Sequence, residues 1–362
     1  MHTNKPVFII AEGGVNHNGS LSLAKELIDV AAEAGASAVK FQTFRAELVV
    51  SRHAPKAKYQ TCTTDQTESQ FEMIRKLELT ENDHELLMAH AQLRGIAFLS
   101  TPFDVPSLHL LVKRFGLQTI KISSGEITNA PFLLAIARAT ERVILSTGMS
   151  TLAEVEAALG VLAFGFVAPA AATLHRGEFE HVYASGAGQQ ALHDRVTLLH
   201  CTTEYPTPFN EVNLRAMDTL AAAFDLPVGY SDHTPGIHAS LAAVARGARV
   251  IEKHFTLDRN MPGPDHKASL QPDELRQLIC QTRDIEQALG DGIKRPTASE
   301  WKNRDVARRS LVAAKSIKAG EVFTEENLTS KRPGTGVSPS LYWLTLGQSA
   351  TRSYAVDEAV DG

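Results

Sequence analysis

Short apolar runs of strand length alternate with helical patterns through the first 290 residues of the chain. Runs of this length bounded by turn signals are typical of strands buried in a parallel sheet. Eight such strands alternating with helices predict an α/β fold, a (β/α)8 TIM barrel. An open doubly wound sheet is the alternative, but no glycine-rich dinucleotide fingerprint follows the first strand. The predicted strands are Pro6–Glu12, Ser37–Thr43, Ile96–Thr101, Thr119–Ser123, Val143–Thr147, Val196–Cys201, Leu226–Tyr230 and Ala248–Glu252.

The pattern changes after the barrel. We predict a catalytic domain over residues 1–290, a polar linker over 291–304 and a small domain of short strands and turns over 305–362. The segment Phe164–Arg195 is rich in Ala, Gly and His and fits no barrel element. It is interpreted as an insertion before the sixth strand.

Polar side chains follow nearly every predicted strand. Barrel enzymes place their sites at the C-terminal ends of the strands, so this distribution favours an enzyme over a barrel built only for packing. The residues at these ends are Glu12, Lys40, Gln42, Thr101, Lys121, Ser124, Glu126, Ser146, Thr147, Thr203, Tyr205, Ser231, His233 and His254.

Two histidines, His233 and His254, stand at the ends of the last two strands. Adjacent strand ends are neighbours in a barrel, so the two imidazoles could share one metal ion. Two neutral imidazoles leave a divalent ion mostly open, as a Lewis acid requires. The alternative is two histidines hydrogen-bonded to backbone carbonyls.

Two lysines, Lys40 and Lys121, lie within apolar strands, where an unpaired charge is costly. Together with the nearby hydroxyls they suit a small phosphorylated carboxylate, although each could instead form a structural ion pair. Glu126 is placed to move a proton, and Glu12 could bind a hydroxyl or assist. Either carboxylate could also be a partner of one of the lysines.

The overall composition narrows the class of partner. A net charge of −5 argues against nucleic acid or an anionic membrane as the main partner, so an anionic substrate must be met by local cations. Three scattered cysteines, Cys62, Cys201 and Cys280, indicate a reducing compartment rather than a disulfide framework. No apolar run is long enough for a signal peptide or a membrane span, so a cytoplasmic protein is expected.

The motifs resemble those of the sialic acid synthases, in order and over nearly the whole chain. Only the Phe164–Arg195 insertion lies clearly outside the match. The matching pieces are IIAEGGVNHNGS, VKFQTF, APKAKYQ, LSTPFD, KISSGE, ILSTGM, LLHCTTEYPTPF, GYSDHT, IEKHFTLDRNMPGPDHKAS and KRPGTGVSP.

The resemblance implies that phosphoenolpyruvate condenses with an open-chain N-acylated hexose, giving a nine-carbon 2-keto acid and phosphate. It also implies a divalent metal, Mn²⁺ or Mg²⁺, and a C-terminal antifreeze-like (SAF) domain that covers the partner's site in a domain-swapped homodimer. N-acetylmannosamine, which would give N-acetylneuraminate, is the favoured acceptor. The alternative is 2,4-diacetamido-2,4,6-trideoxymannose, which would give N,N'-diacetyllegionaminate.

Site residues follow from the same resemblance. His233 and His254 match the metal ligands, and Glu126 matches the proposed acid/base. The phosphoenolpyruvate positions are Thr101, Lys121, Ser124, Ser146, Thr203 and Ser231. The sugar positions are Glu12, Lys40, Gln42, Tyr205, Asp265 and Arg332, the last reaching the N-acyl group from the partner subunit. The position of Thr203 is often Asn in this family, which leaves its contact with phosphoenolpyruvate open.

Three other functions stay open. A synthase for a phosphorylated sugar would need extra basic residues at the mouth, and only Arg45, Arg52 and Lys56 are nearby. A Schiff-base aldolase would use Lys121 or Lys40 as the nucleophile. A non-catalytic binding protein would be expected to have lost several of the polar strand ends.

Overall fold

The computed structural model describes residues 5–56, 61, 64, 68–169, 172 and 175–361. Part of the APKAKYQ motif, residues 57–60, and Cys62 therefore lie outside the described residues. The chain divides into two compact units, Met1–Gly290 and Asp291–Gly362. Among the described residues, no helix combines the length and the apolar character that crossing a membrane would take.

The first unit is a barrel. Within the described residues its sheet has eight parallel strands in the order β3-β2-β1-β8-β7-β6-β5-β4. Strand β1 pairs with β8, so the first and last strands are hydrogen-bonded neighbours, and β3 lies beside β4. The strands are β1 Phe8–Gly14, β2 Ala38–Thr43, β3 Ala97–Pro102, β4 Thr119–Ile122, β5 Arg142–Ser146, β6 Val196–His200, β7 Val228–Asp232 and β8 Val250–His254. The predicted (β/α)8 barrel is confirmed.

Helices separate the strands, and local sequence signals set their ends. Ser20 accepts a hydrogen bond from the backbone N–H of Leu23 at the start of the first helix, and Gly35 ends it with φ of 85°. The helices of this unit are Leu21–Ala34, Ala46–Val49, Gln70–Arg75, Glu81–Leu93, Val105–His109, Ala130–Ala139, Leu152–Val167, Glu178–Tyr183, Gly186–Arg195, Ala216–Phe224, His238–Ala245 and Pro272–Leu289.

The last two strands begin and end two residues later than the sequence predicts. Ser231 and Asp232 belong to β7, and Lys253 and His254 belong to β8. All four side chains are buried. Polar residues mark the end of a strand only when they face solvent. These four are buried and lie against other residues inside the protein, so the strands continue through them.

The segment interpreted as an insertion adds helices to the outside of the barrel. Glu178–Tyr183 and Gly186–Arg195 pack on the long helix Leu152–Val167, with the rings of Phe164 and Phe179 edge to face at 5.4 Å. Its described residues are therefore a helical layer and not a bare loop.

The second unit contains the antiparallel pair β9, Ser310–Ala313, and β10, Leu328–Lys331. A small apolar core gathers around it. The predicted linker is partly helical, since Ala298–Ala307 forms a helix whose capping box joins Thr297 and Glu300.

A layer of apolar side chains closes the barrel interior below the strand ends. It consists of Ile10, Ala38, Leu99, Ile144, Leu199 and Val250. Side chains two residues further along a strand point to the same face. The next interior layer is therefore formed by Glu12, Lys40, Thr101, Ser146, Cys201 and Glu252.

Candidate active site

Two lysines and two carboxylates meet inside the barrel, three of them in the polar layer and the fourth, Lys121, next to it. The Nζ of Lys40 lies 2.5 Å from Oε2 of Glu12 and 3.7 Å from Oε2 of Glu252. The Nζ of Lys121 lies 3.7 Å from the other carboxylate oxygen of Glu252. All four side chains are buried. The two positive charges are thus matched by two negative ones without help from solvent.

Burial shifts the pKa values within this network. Burial raises the pKa of Glu12 to about 7, and the nearby Lys40 ammonium only partly offsets the effect. Burial alone would lower the pKa of Lys40, but the carboxylates of Glu12 and Glu252 outweigh it and raise the value. Burial lowers the pKa of Lys121. Glu12 can therefore change its protonation state near neutral pH.

A candidate anion site surrounds Lys121. Its Nζ donates to Oγ of Ser146 at 2.6 Å and to the carbonyl of Ile122 at 2.9 Å. In the same cavity, Oγ of Ser124 accepts from the backbone N–H of Gly148 at 3.0 Å. An ammonium beside hydroxyls suits a carboxylate or phosphate.

A side chain at position 148 would not fit beside this anion site. A Cβ there would stand 2.5 Å from Oγ1 of Thr203 and 2.9 Å from Sγ of Cys201 and from Oγ of Ser124. Gly148 thus leaves room for side chains from two segments, Ser124 after β4 and Cys201 and Thr203 after β6.

His233 and His254 lie together at the ends of β7 and β8, with ring centroids 5.6 Å apart. Nδ1 of His233 is 2.7 Å from the carbonyl of Thr202, so this nitrogen carries the proton and Nε2 presents its lone pair. The ring of Tyr205 packs against His233 at 4.1 Å and against His254 at 5.6 Å. Both imidazoles are fixed by neighbours that leave a ring nitrogen for binding.

The pKa values of both histidines fit metal binding. Burial lowers the pKa of His233 to about 4, and burial together with His233 lowers that of His254 well below its usual range. Neutral imidazole is the form that binds metals. The buried Nδ1 of His254 has no hydrogen-bond partner, and Asp265 Oδ2 is 4.0 Å away.

The donor set therefore fits a divalent ion held by two imidazoles, with positions left for oxygen ligands. No set of three or more His, Cys, Asp or Glu side chains is arranged to hold a metal in the part of the chain that the structure describes.

A cavity of about 330 Å³ joins the polar layer, the anion site and the histidines. All but two of the site residues predicted from sequence line it. They are Glu12, Lys40, Gln42, Thr101, Lys121, Ser124, Ser146, Thr203, Tyr205, Ser231, His233, His254 and Asp265.

The two exceptions are Glu126 and Arg332. Glu126 follows Gly125, which lines the cavity, but its own half-buried carboxylate accepts from Nδ2 of Asn129 at 2.7 Å. Arg332 lies in the second unit directly after β10, where it is exposed.

Sequence reasoning missed Glu252. Its carboxylate faces both lysines and accepts from Oγ of Ser231 at 2.8 Å. Lys121 and Lys40 depress its pKa strongly enough to outweigh its burial. The signal was present, because Glu252 follows Val250 and Ile251 in a predicted buried strand, where a carboxylate needs a buried cation nearby.

Comparisons with known proteins give one consistent result. A model of the NeuB family matches residues 27–294, and a model of the SAF domain matches residues 308–355. The chain is 54% identical to the N,N'-diacetyllegionaminic acid synthase of Campylobacter jejuni, over 98% of this chain and 99% of that protein. It is 45% identical to the enzyme of the same name from Legionella pneumophila, over 92% of this chain and 87% of that one.

A solved structure agrees with this result. The crystal structure of N-acetylneuraminic acid synthetase from Leptospira borgpetersenii matches with a TM-score of 0.66 at 35% identity, over 83% of this chain and 90% of that one.

Proposed function

Since this chain belongs to the NeuB family of sialic acid synthases, we propose that it condenses phosphoenolpyruvate with 2,4-diacetamido-2,4,6-trideoxymannose and water, giving N,N'-diacetyllegionaminate and phosphate. The observation that carries this choice is the 54% identity to a diacetyllegionaminic acid synthase, against 35% to an N-acetylneuraminic acid synthetase. The comparisons thus favour the second of the two acceptors considered from sequence over N-acetylmannosamine.

Phosphoenolpyruvate would bind at the anion site. The ammonium of Lys121 and the hydroxyls of Ser124, Ser146 and Ser231 would meet its carboxylate and phosphate oxygens. Thr101 also lines this region, and its Oγ1 accepts from Nζ of Lys40 at 3.1 Å. Thr203 has a hydroxyl where the family often has the amide of asparagine. Its side chain is shorter, but we expect it still to make a polar contact with phosphoenolpyruvate.

The sugar would bind between β1, β2 and the loops after β6 and β8. Glu12, Lys40 and Gln42 offer acceptors and donors to its hydroxyls, and Tyr205 and Asp265 close the other side. Burial raises the pKa of Asp265 to about 6, so it exchanges between donor and acceptor in the neutral range. Arg332 is assigned to the N-acyl group by resemblance alone.

His233 and His254 would hold a divalent ion, Mn²⁺ or Mg²⁺, whose charge would polarise the aldehyde oxygen of the open-chain sugar. The residues of the chain would bind and orient the two substrates. They hold C3 of phosphoenolpyruvate against the aldehyde carbon, so that proximity replaces a bimolecular encounter.

The proposed reaction balances without any further reactant. A bond forms between C3 of phosphoenolpyruvate and the aldehyde carbon, and the aldehyde oxygen takes a proton. Water adds at C2, and the tetrahedral intermediate loses phosphate as its remaining hydroxyl becomes the keto group. Lys121 would neutralise charge on the departing phosphate. Glu126, with Glu12 assisting, is proposed to carry the protons.

The test is phosphate release from phosphoenolpyruvate with Mn²⁺, offering each acceptor sugar separately, with EDTA as the control. We expect turnover with the diacetamido-trideoxy sugar to exceed that with N-acetylmannosamine. The reverse order would identify N-acetylmannosamine as the acceptor. No phosphate release with either sugar would refute the proposed synthase activity.

The lowered pKa of Lys121 is also a property of Schiff-base lysines, so one control addresses the aldolase. Borohydride treatment in the presence of a keto acid should leave the protein mass unchanged. A covalent adduct at Lys121 would favour the aldolase instead. The domain-swapped homodimer and the cytoplasmic location stay predictions.

A further inference from the structure

The cavity has a second, apolar part above its polar floor. Val15 follows β1, Phe44 follows β2 and Phe103 follows β3, and all three line the cavity. The polar residues of these strands, such as Glu12 and Lys40, lie within the strands themselves and therefore deeper. The mouth of the cavity beside β1–β3 is thus apolar, whereas its floor is charged.

This apolar wall is a packed structure of its own. Val15, Phe44 and Leu77 form a buried cluster separate from the barrel core, and Val49, Ile74 and Phe103 pack on it. Phe44 and Phe103 meet edge to face at 6.2 Å. The wall is therefore preformed by side-chain packing and does not depend on a ligand to assemble.

Part of the wall keeps apolar surface turned to the cavity. Val49 and Ile74 of this wall line the cavity and are only half-buried, as is Val50, which follows Val49 in the chain. A cluster whose only task was to hold these loops would be expected to bury them. Their accessible methyl groups favour an apolar portion of the ligand at this position.

The chemistry of the reaction fixes which end of the acceptor reaches the wall. The aldehyde carbon, C1, must lie at the floor beside the anion site and the histidines. In an open-chain hexose C6 is the farthest carbon from C1, so it extends toward the mouth.

We propose that the wall formed by Val49, Val50 and Ile74 selects acceptors that carry a methyl group at C6 and rejects those with a hydroxymethyl group there. This inference rests on the proposed function, because it concerns the acceptor of that reaction. A hydroxyl pressed against this wall loses its water without gaining a hydrogen bond. An apolar pocket rejects an added hydroxyl by up to about 100-fold, so we expect a preference of about 10- to 100-fold.

The experiment compares two acceptors that differ by one oxygen atom. They are 2,4-diacetamido-2,4,6-trideoxymannose and its 6-hydroxy analogue, 2,4-diacetamido-2,4-dideoxymannose, and the readout is kcat/KM from phosphate release. The variant V49T/V50T keeps the volume of the wall and adds two hydroxyls. We expect its preference for the methyl acceptor to fall to about threefold or less, with an unchanged KM for phosphoenolpyruvate.

A matched control comes from Val112, a half-buried valine that does not line the cavity. V112T should keep the wild-type preference, and I74T should independently reduce it. Circular dichroism establishes that each variant is folded.

The outcomes separate the two hypotheses. If the wild-type enzyme uses the trideoxy sugar but its preference for the methyl acceptor equals that of V49T/V50T, the proposed role of the wall is refuted. The proposed function is then unaffected. Equal effects of V112T and V49T/V50T would also overturn the wall. A wild-type enzyme that releases no phosphate with the trideoxy sugar would refute the proposed function and this inference with it.

Discussion

The ion pair between Asp232 and Lys253 gives the sharpest test of the structure. The Nζ of Lys253 lies 3.0 Å from Oδ2 of Asp232, and both side chains are 0% exposed. Each residue directly precedes one of the two cavity histidines, in β7 and β8. Lys253→Met removes the ammonium, keeps an apolar stem of similar length and leaves the carboxylate buried.

The expected magnitude follows from what the carboxylate retains. Breaking one partner of a buried pair costs about 3–5 kcal/mol, because it leaves an uncompensated charge. Asp232 still accepts from the backbone N–H of Thr234 at 2.8 Å and from Oγ of Ser240 at 2.5 Å. We therefore expect Lys253→Met to lower the free energy of unfolding by a value at the low end, about 3 kcal/mol.

The assay is urea unfolding of the full chain, followed by circular dichroism. Asp232→Asn should also destabilise, because it leaves the buried ammonium of Lys253 without its counter-charge. The double variant D232N/K253M should be more stable than either single variant, since it contains no uncompensated buried charge. As a control, Arg276→Met removes an exposed pair with Asp273 and should leave unfolding unchanged. A double variant that loses the sum of both single effects would refute the reasoning.

Three further predictions concern catalysis. His254→Ala should abolish phosphate release while circular dichroism stays native, and a fully active variant would exclude the metal role. Arg332→Ala should raise the KM for the sugar more than that for phosphoenolpyruvate, and equal increases would contradict its assignment. Gly148→Ala should raise the KM for phosphoenolpyruvate by about tenfold or more, because its Cβ would stand 2.5 Å from Oγ1 of Thr203. Gly186→Ala is the matched control, since Gly186 does not line the cavity and nothing lies within 4 Å of the Cβ that it would add, and an equal effect of both changes would refute the steric argument.

The strand pattern predicts the barrel because each strand is a continuous apolar run, which is a local property. The ends of β7 and β8 could not be predicted in the same way. Asp232 and Lys253 look like strand terminators until their partners are known, and each is the partner of the other on the neighbouring strand. Only the fold brings Lys121 within reach of Glu252. Buried charges therefore explain the misplaced C-terminal ends of β7 and β8.

The residues of the candidate site likewise fall into those that the sequence pattern reveals and those that it does not. Residues at strand ends, such as Ser146 and His254, could be found because a barrel brings all strand ends together. The wall residues Val49 and Ile74 stand in very short apolar runs, LVV and MI, within a long polar segment, and runs this short show no periodicity. The helix Ala298–Ala307 was missed for the opposite reason: its capping signal is local, but it has no buried residue and hence no apolar stripe.

The pairing of β1 with β8 has a consequence for how the chain folds while it is being synthesised. Glu12 stands opposite His254 across this pair, so the cavity needs the two ends of the barrel in register. At a synthesis rate of about 5 to 20 residues per second, the roughly 240 residues between them take on the order of 10 to 50 s to emerge from the ribosome. During that time β1 exposes an unpaired edge, and its apolar run FIIA is available to other nascent chains. We therefore expect chaperone capture of the nascent chain to concentrate on its first strand and to end only when the eighth has been synthesised.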